Sequence, residues 1–204
     1  MENKRMSKNE DFWFRIAAVC GILTPIIAFT CISTAIALYP PFSWTDNALS
    51  DLGVVEGAVS MIFNGGLMLS GILALAFAIG VQNYLNKSVM WKIGAFLFAL
   101  DAIALIAIGA FPEGTAPHYP ASLAFFVLFP LAMLFIGAVL MKKNEKPMTV
   151  FSFLAAIFSI AVWVFQYTVG FGKGVAIPET LTSLAVSAWA LVLGFKMLKQ
   201  QRKQ

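Results

Sequence analysis

Six long apolar runs separated by short polar breaks constrain this sequence more than any other feature. A transmembrane helix needs about 20 consecutive, mostly apolar residues, and each run reaches that length. We predict an all-α, polytopic bundle of six membrane-spanning helices, over residues 16–38, 58–81, 92–111, 119–141, 150–170 and 179–198. The connections leave no room for a separate soluble domain, so we expect residues 1–204 to form one membrane domain.

The composition excludes a water-soluble chain. Hydrophobic residues make up 60% of the sequence and charged residues 12%, whereas a soluble domain has about 45–50% apolar and 25% charged residues. The lipid bilayer is therefore the predicted environment. The net charge of +4 is explained by membrane topology, so no nucleic-acid partner is inferred from it.

The lysines and arginines predict the orientation, because positively charged flanks are retained on the cytoplasmic side. Of the 14 Lys and Arg residues, only Lys173 lies in an odd-numbered loop. The other 13 flank the opposite helix ends: Lys4, Arg5, Lys8, Arg15, Lys87, Lys92, Lys142, Lys143, Lys146, Lys196, Lys199, Arg202 and Lys203. We predict a multi-pass protein of the cell membrane with both termini in the cytoplasm.

Polar side chains within the predicted spans concentrate in the outer halves of the helices. Asn64, Gln166 and Ser183 belong to this set. A polar side chain in hydrocarbon is costly unless it faces protein or water, so the distribution predicts a polar chamber open to the outside. The alternative for any single Ser or Thr is a hydrogen bond to its own helix backbone.

Asp101 is the one carboxylate well inside a predicted span. It lies roughly 14–15 Å from either helix end at the helical rise, near the bilayer midplane. No Lys or Arg lies at matching depth, which leaves a hydrogen bond to a side chain such as Asn64, a bound cation, or a protonated acid. We predict that Asp101 forms the floor of the chamber, with a purely structural hydrogen bond as the alternative.

The outer loops carry the residue types of a hydrolase. Ser50, Asp51 and His118, the only histidine, would place a base beside a hydroxyl if the first two outer loops meet. Asp51 is also suited to capping a short helix, and Glu179 to the first turn of the last helix. One histidine among acids is a poor zinc site, so no metal site is predicted. The acid Glu113 joins Asn64, Asp101, Gln166 and Ser183 as a predicted substrate-binding residue.

Two outer motifs support a family resemblance. The chain resembles the uncharacterised six-helix prokaryotic membrane family called domain of unknown function 998, and more remotely Frag1/DRAM-like proteins. That family has a Ser–Asp/Glu–Leu–Gly signature before the second helix, an Asn early in that helix, and a Phe–Pro motif followed by a His. The matching positions are Ser50, Asp51, Leu52, Gly53, Asn64, Phe111, Pro112 and His118. The resemblance implies the six-helix topology and no established reaction.

The leading functional hypothesis is an integral membrane protein that binds a lipid or amphiphile from the outer leaflet, with hydrolysis or remodelling as a variant. A small-solute or ion-coupled transporter using Asp101 is the first alternative. A noncatalytic assembly or sensor protein is the second. The sequence contains no phosphate-binding glycine loop, dinucleotide fingerprint or haem motif, so no cofactor is inferred. Whether the chain is an enzyme, and its oligomeric state, stay open.

Overall fold

The computed structural model describes residues 8–84 and 88–201 of the chain. Within these residues it contains six long α-helices that meet the length and composition of membrane spans. They are α1 (Lys8–Leu38), α2 (Ala58–Tyr84), α3 (Val89–Ala110), α4 (His118–Lys142), α5 (Lys146–Thr168) and α6 (Ala176–Gln201). A short 3-10 helix, Leu49–Val54, lies between α1 and α2. The predicted all-α, six-helix fold is confirmed.

The helix ends differ from the predicted ends where polar residues continue a helix. α1 begins at Lys8 rather than at residue 16, because backbone hydrogen bonding carries the helix through charged residues that hydropathy does not count. α3 begins at Val89, where Ser88 Oγ accepts a hydrogen bond of 3.2 Å from Trp91 N and so caps the helix. Hydropathy thus locates each span, and local capping sets its ends.

The helices form a ring in which each packs against its neighbours in sequence, and α6 closes the ring against α1. Glycines allow α2 and α3 to approach closely. A Cβ on Gly71 would lie 2.9 Å from the carbonyl oxygen of Ala102, and a Cβ on Gly109 would lie 2.6 Å from that of Asn64. Such small residues let helix backbones meet inside a membrane, where hydrocarbon supplies no hydrophobic force between helices.

The half of the bundle nearer the termini has a dry aromatic core. Phe77, Phe98 and Trp189 meet edge to face, with ring centroids 5.3 to 6.3 Å apart. The Trp189 indole donates a 3.0 Å hydrogen bond to Ser152 Oγ, which itself donates to the Met148 carbonyl. This half offers little polar surface to a ligand.

The opposite end of the bundle, which we call the capped end, is covered by the 3-10 helix and its flanking loop. Two backbone hydrogen bonds tie this loop to the connection between α5 and α6, from Gly174 N to Thr45 O at 2.8 Å and from Ala176 N to Asn47 O at 2.9 Å. Of the 13 basic residues used to predict orientation, Lys4, Arg5, Lys87, Arg202 and Lys203 lie outside the described residues.

Candidate functional site

A groove runs between the capped-end halves of α4 and α5, with a volume of about 650 Å³. At the capped end it is also lined by residues of the 3-10 helix and of the first turn of α6. Its lining residues are Ala48, Ser50, Glu113, His118, Tyr119, Ser122, Leu123, Phe126, Val127, Pro130, Leu131, Ser159, Ile160, Trp163, Val164, Tyr167, Thr168, Val175 and Glu179. The volume lies within the usual range of small-molecule sites, about 300–1,000 Å³.

Most of the groove wall is apolar and opens sideways, toward the expected position of the lipid. Phe126 contacts Trp163 with ring centroids 4.7 Å apart, and Trp163 stacks on Tyr167 at 5.9 Å. On the rims, Leu123 and Val164 are 52% and 56% exposed. A trough of this kind provides contact for a hydrocarbon chain along its length.

Two acids lie at the capped end of the groove, each fixed by the first loop. Ser50 Oγ donates a 2.7 Å hydrogen bond to Glu113 Oε2. The backbone N–H of Leu49 donates a 2.6 Å hydrogen bond to Glu179 Oε2, and Glu179 is buried. The 3-10 helix therefore positions two carboxyl groups that come from different parts of the chain.

A histidine–serine pair lies beside these acids. His118 Nδ1 is 2.8 Å from the carbonyl oxygen of Phe111, and Ser122 Oγ is 3.3 Å from His118 Nε2. Since a carbonyl can only accept, Nδ1 carries the hydrogen of the neutral ring and Nε2 is left as the acceptor for Ser122. The pair combines a hydroxyl with an oriented base, one helical turn apart on α4.

The charge of the groove is one-sided. Among the described residues that line the groove there is no lysine or arginine, whereas two glutamates, Glu113 and Glu179, line it. Within the described residues, no group of three His, Cys, Asp or Glu side chains is placed to hold a metal ion. The capped end is therefore suited to a head group that donates hydrogen bonds or carries positive charge.

The predicted hydrolase residues are only partly brought together. Ser50 and His118 both line the groove, as does Glu113. Asp51 instead accepts hydrogen bonds from Asn47 Nδ2 at 2.6 Å and from Ala48 N at 3.0 Å, so it stabilises the start of the 3-10 helix. The first loop meets the second outer loop through the hydrogen bond from Ser50 Oγ to Glu113 Oε2.

Asn64 and Gln166, which we expected to line the polar chamber, are hydrogen-bonded to loop backbone at the capped end. Asn64 Nδ2 donates to the Gly53 carbonyl at 2.9 Å, and Gln166 Nε2 donates to the Gly174 carbonyl at 3.1 Å. Both amides thereby connect a helix to a loop of the capped end.

Asp101 lies in a separate central cavity and not on the floor of the groove. This cavity has a volume of about 50 Å³ and includes Ser183 in its lining. Asp101 is 2% exposed. The polar chamber expected from the sequence is therefore divided between an open groove and a small enclosed space.

A comparison with protein families matches residues 22–196 to one family model, which spans both cavities. The chain belongs to the DUF998 family, described as protein of unknown function. The resemblance found in the outer motifs is thereby confirmed. Searches of curated proteins and of solved structures each gave no match.

The structure gives the motifs of this DUF998 chain a physical role. Ser50 and Asp51 lie in the 3-10 helix, where one binds Glu113 and the other stabilises the helix start. Gly53 packs against Asn64, whose Oδ1 would lie 2.6 Å from a Cβ at that glycine. His118 bonds back to Phe111. The motif residues thus build the capped end of the groove.

Sequence reasoning missed the residues that form the groove wall. Ser122 lies four positions after His118, a spacing that places two side chains on one helix face and was available as a signal. Phe126 and Trp163 are apolar residues within predicted spans. Nothing in their type distinguishes a groove wall from a lipid-facing surface.

Proposed function

We propose that the chain binds a single-chain amphiphile from the outer leaflet, with its hydrocarbon tail in the groove and its head at the capped end. This proposal includes the orientation inferred from the basic residues, with the capped end outside the cell. The observation that carries it is the continuity of one laterally open groove from an apolar trough to a polar end lined by Glu113, His118 and Glu179.

The length and direction of the groove support this occupant. From His118 to Leu131 the groove wall follows α4 for about 20 Å at the helical rise. It runs with the helix and therefore parallel to a lipid chain in a bilayer leaflet. Leu123 and Val164 on the rims are exposed, so a tail can enter sideways without crossing the protein.

The acids at the capped end support a head group with ammonium or hydroxyl donors. Glu113 has one carboxylate oxygen engaged by Ser50, which leaves the other for a ligand. Charge-assisted hydrogen bonds are about twice as strong as neutral ones, and an anionic head would be repelled by an ionised Glu113. This chemistry favours a ligand whose head group donates hydrogen bonds over a ligand whose head group is a carboxylate.

Hydrolysis of an ester in the bound amphiphile is a second candidate function, favoured by the Ser122–His118 contact of 3.3 Å. Ser122 Oγ would attack the ester carbonyl carbon while its proton passes to His118 Nε2 and then to the departing alkoxide. Water would release the acyl group from Ser122 in a second step. The Phe111 carbonyl would hold the ring through Nδ1, the role that a carboxylate has in a catalytic triad.

Paired ligands of equal tail length test the binding proposal. Purified full-length protein in detergent is titrated with hexadecylammonium and with hexadecanoate, and binding is followed by native mass spectrometry. We expect tighter binding of hexadecylammonium, and a loss of this preference by about tenfold in Glu113→Gln, the scale of one hydrogen bond to a charged group. Equal binding of both ligands, unchanged by Glu113→Gln, would overturn the proposed head-group chemistry.

A second pair of variants tests the groove itself. Val127→Trp places a large side chain on the groove wall, whereas Ile72→Trp places one on α2, where Ile72 is exposed away from the groove residues. We expect Val127→Trp to reduce binding of either ligand at least tenfold while Ile72→Trp binds as the native protein does. Equal effects of the two variants would exclude the groove as the binding site.

A further inference from the structure

The central cavity is a second polar site, enclosed by α1, α2, α3, α4 and α6. Its volume of about 50 Å³ exceeds the roughly 10–15 Å³ of probe-occupied space that one water needs, so a small occupant fits. Four of its lining residues carry oxygen atoms on their side chains: Thr24, Asp101, Ser183 and Ser187. All other described lining residues are apolar, so these four residues supply the side-chain oxygens of the cavity.

The hydrogen-bonding capacity of these groups is largely unused. Asp101 is 2% exposed, and its Oδ1 has no hydrogen-bond partner. Several helical hydroxyls elsewhere, such as that of Thr180, bond to the carbonyl four residues earlier. Ser183 and Ser187, one turn apart on α6, make no hydrogen bond within the described part of the chain. Buried polar groups are normally satisfied, so the buried Asp101 carboxyl indicates a partner that does not belong to the chain, with the partly buried Ser183 and Ser187 beside it.

The charge balance indicates a cation. No lysine, arginine or histidine is among the described residues that line the cavity. A buried carboxylate without a counter-charge is strongly disfavoured in an apolar environment. Carboxylate and hydroxyl oxygens are the ligands of hard cations. One carboxylate neutralises one monovalent ion, whereas a divalent ion would leave a net positive charge inside the membrane.

We propose that the central cavity binds one sodium ion, with Asp101 as the charged ligand and the hydroxyls of Ser183 and Ser187 as neutral ligands. Thr24 Oγ1 donates to the Cys20 carbonyl and keeps its lone pairs for the ion. Pro25, which also lines the cavity, has no N–H to donate to the carbonyl of Gly21. Among its described lining residues the cavity offers only four side chains with oxygen atoms, which suits sodium because it takes fewer oxygen ligands than the larger potassium ion.

This site is independent of the groove. The groove and the central cavity have no lining residue in common. Sodium binding therefore does not require the proposed amphiphile, and a failure of either proposal leaves the other standing.

Thermal unfolding of the purified full-length protein in detergent tests the sodium site. Melting temperature is measured against NaCl, with choline chloride holding ionic strength constant, and again with KCl. Because a ligand that binds only the folded state stabilises it, we expect a saturable rise with sodium and a smaller one with potassium. Asp101→Asn keeps the side-chain volume and should abolish the rise, whereas Asp46→Asn, in an exposed loop, should keep it.

A second variant keeps the test decisive if Asp101→Asn fails to fold. Ser183→Ala combined with Ser187→Ala removes two neutral ligands and should move the sodium midpoint at least tenfold higher. The proposal is overturned if the melting temperature of the native protein does not change with sodium. It is also overturned if the double variant has the same sodium midpoint as the native protein. A melting temperature that falls with rising pH equally in all three salts would assign a proton to Asp101 and overturn it as well.

Discussion

The substitution Gly174→Ala tests how the cap is held on the bundle. Gly174 lies in the connection between α5 and α6, directly against the loop that precedes the 3-10 helix. A Cβ at this position would lie 2.5 Å from Asn47 N, whereas real Cβ atoms essentially never come closer than 3.0 Å to such an atom. The neighbouring atoms belong to backbone and cannot move aside as a flexible side chain would, so the loop must shift.

The magnitude follows from the hydrogen bonds that the shift breaks. Gly174 N donates to Thr45 O at 2.8 Å, and Ala176 N donates to Asn47 O at 2.9 Å. Each such bond contributes about 0.5–1.5 kcal/mol, so we expect Gly174→Ala to lower the free energy of unfolding by about 1–3 kcal/mol. For a chain of this size that corresponds to a fall in melting temperature of roughly 2–12 °C.

Gly65→Ala is the matched control, because a Cβ on Gly65 has nothing within 4 Å. Gly65 lies inside α2, where alanine is favoured over glycine by about 1 kcal/mol, so this variant should melt at or above the native temperature. Both variants are compared by scanning fluorimetry in one detergent. If Gly174→Ala has the same melting temperature as Gly65→Ala, the loop is not held by these backbone contacts and the reasoning is refuted.

Two further predictions concern the capped end. In a background without native cysteines, cysteines at Asn47 and Thr115 should react with an impermeant thiol reagent applied to intact cells, and one at Asn144 should not; the reverse pattern would contradict the orientation. The pKa of Asp46 is lowered by hydrogen bonds that its carboxylate accepts, chiefly from Ser43 Oγ and to a smaller extent from Thr45 Oγ1. These bonds therefore stabilise the loop at pH values above the ordinary pKa of Asp46. This stabilisation is lost as the pH falls through the lowered pKa of Asp46. Ser43→Ala should raise the pKa of Asp46 in a carboxyl NMR titration, and an unchanged value would contradict this cause.

The six spans could be predicted from sequence because each requirement is local. An apolar run of the right length must cross the bilayer as a helix, since only a helix satisfies its own backbone there. The ends were less predictable. The start of α3 depends on Ser88, whose capping role hydropathy does not register.

The polar half of the candidate site was partly predictable, since its residues stand out by type. Ser50, Glu113 and His118 were singled out from the outer loops and do line one groove. Asp51 was equally conspicuous, but its carboxylate is used by its own loop. Residue type identifies a polar group that needs a partner, and only the folded chain decides which partner it has.

The apolar half of the site and the position of Asp101 required the structure. A groove between α4 and α5 depends on which helix faces leave space between them, and Phe126 or Trp163 looks the same in sequence whether it faces lipid or a ligand. Asp101 stands out in the sequence as the one carboxylate well inside a predicted span. Its separation from the groove depends on the packing of five helices around the central cavity.

Photo-crosslinking tests the binding of an amphiphile in the groove most directly. The native protein in lipid nanodiscs is irradiated with a trace of hexadecylammonium carrying a diazirine near the end of its tail, with and without excess unlabelled ligand. We predict that the displaceable adducts map by mass spectrometry to residues 123–131 of α4 and 159–164 of α5, and that Val127→Trp removes them. Adducts spread over the exposed faces of all six helices, and undiminished by competitor, would contradict the proposed binding site.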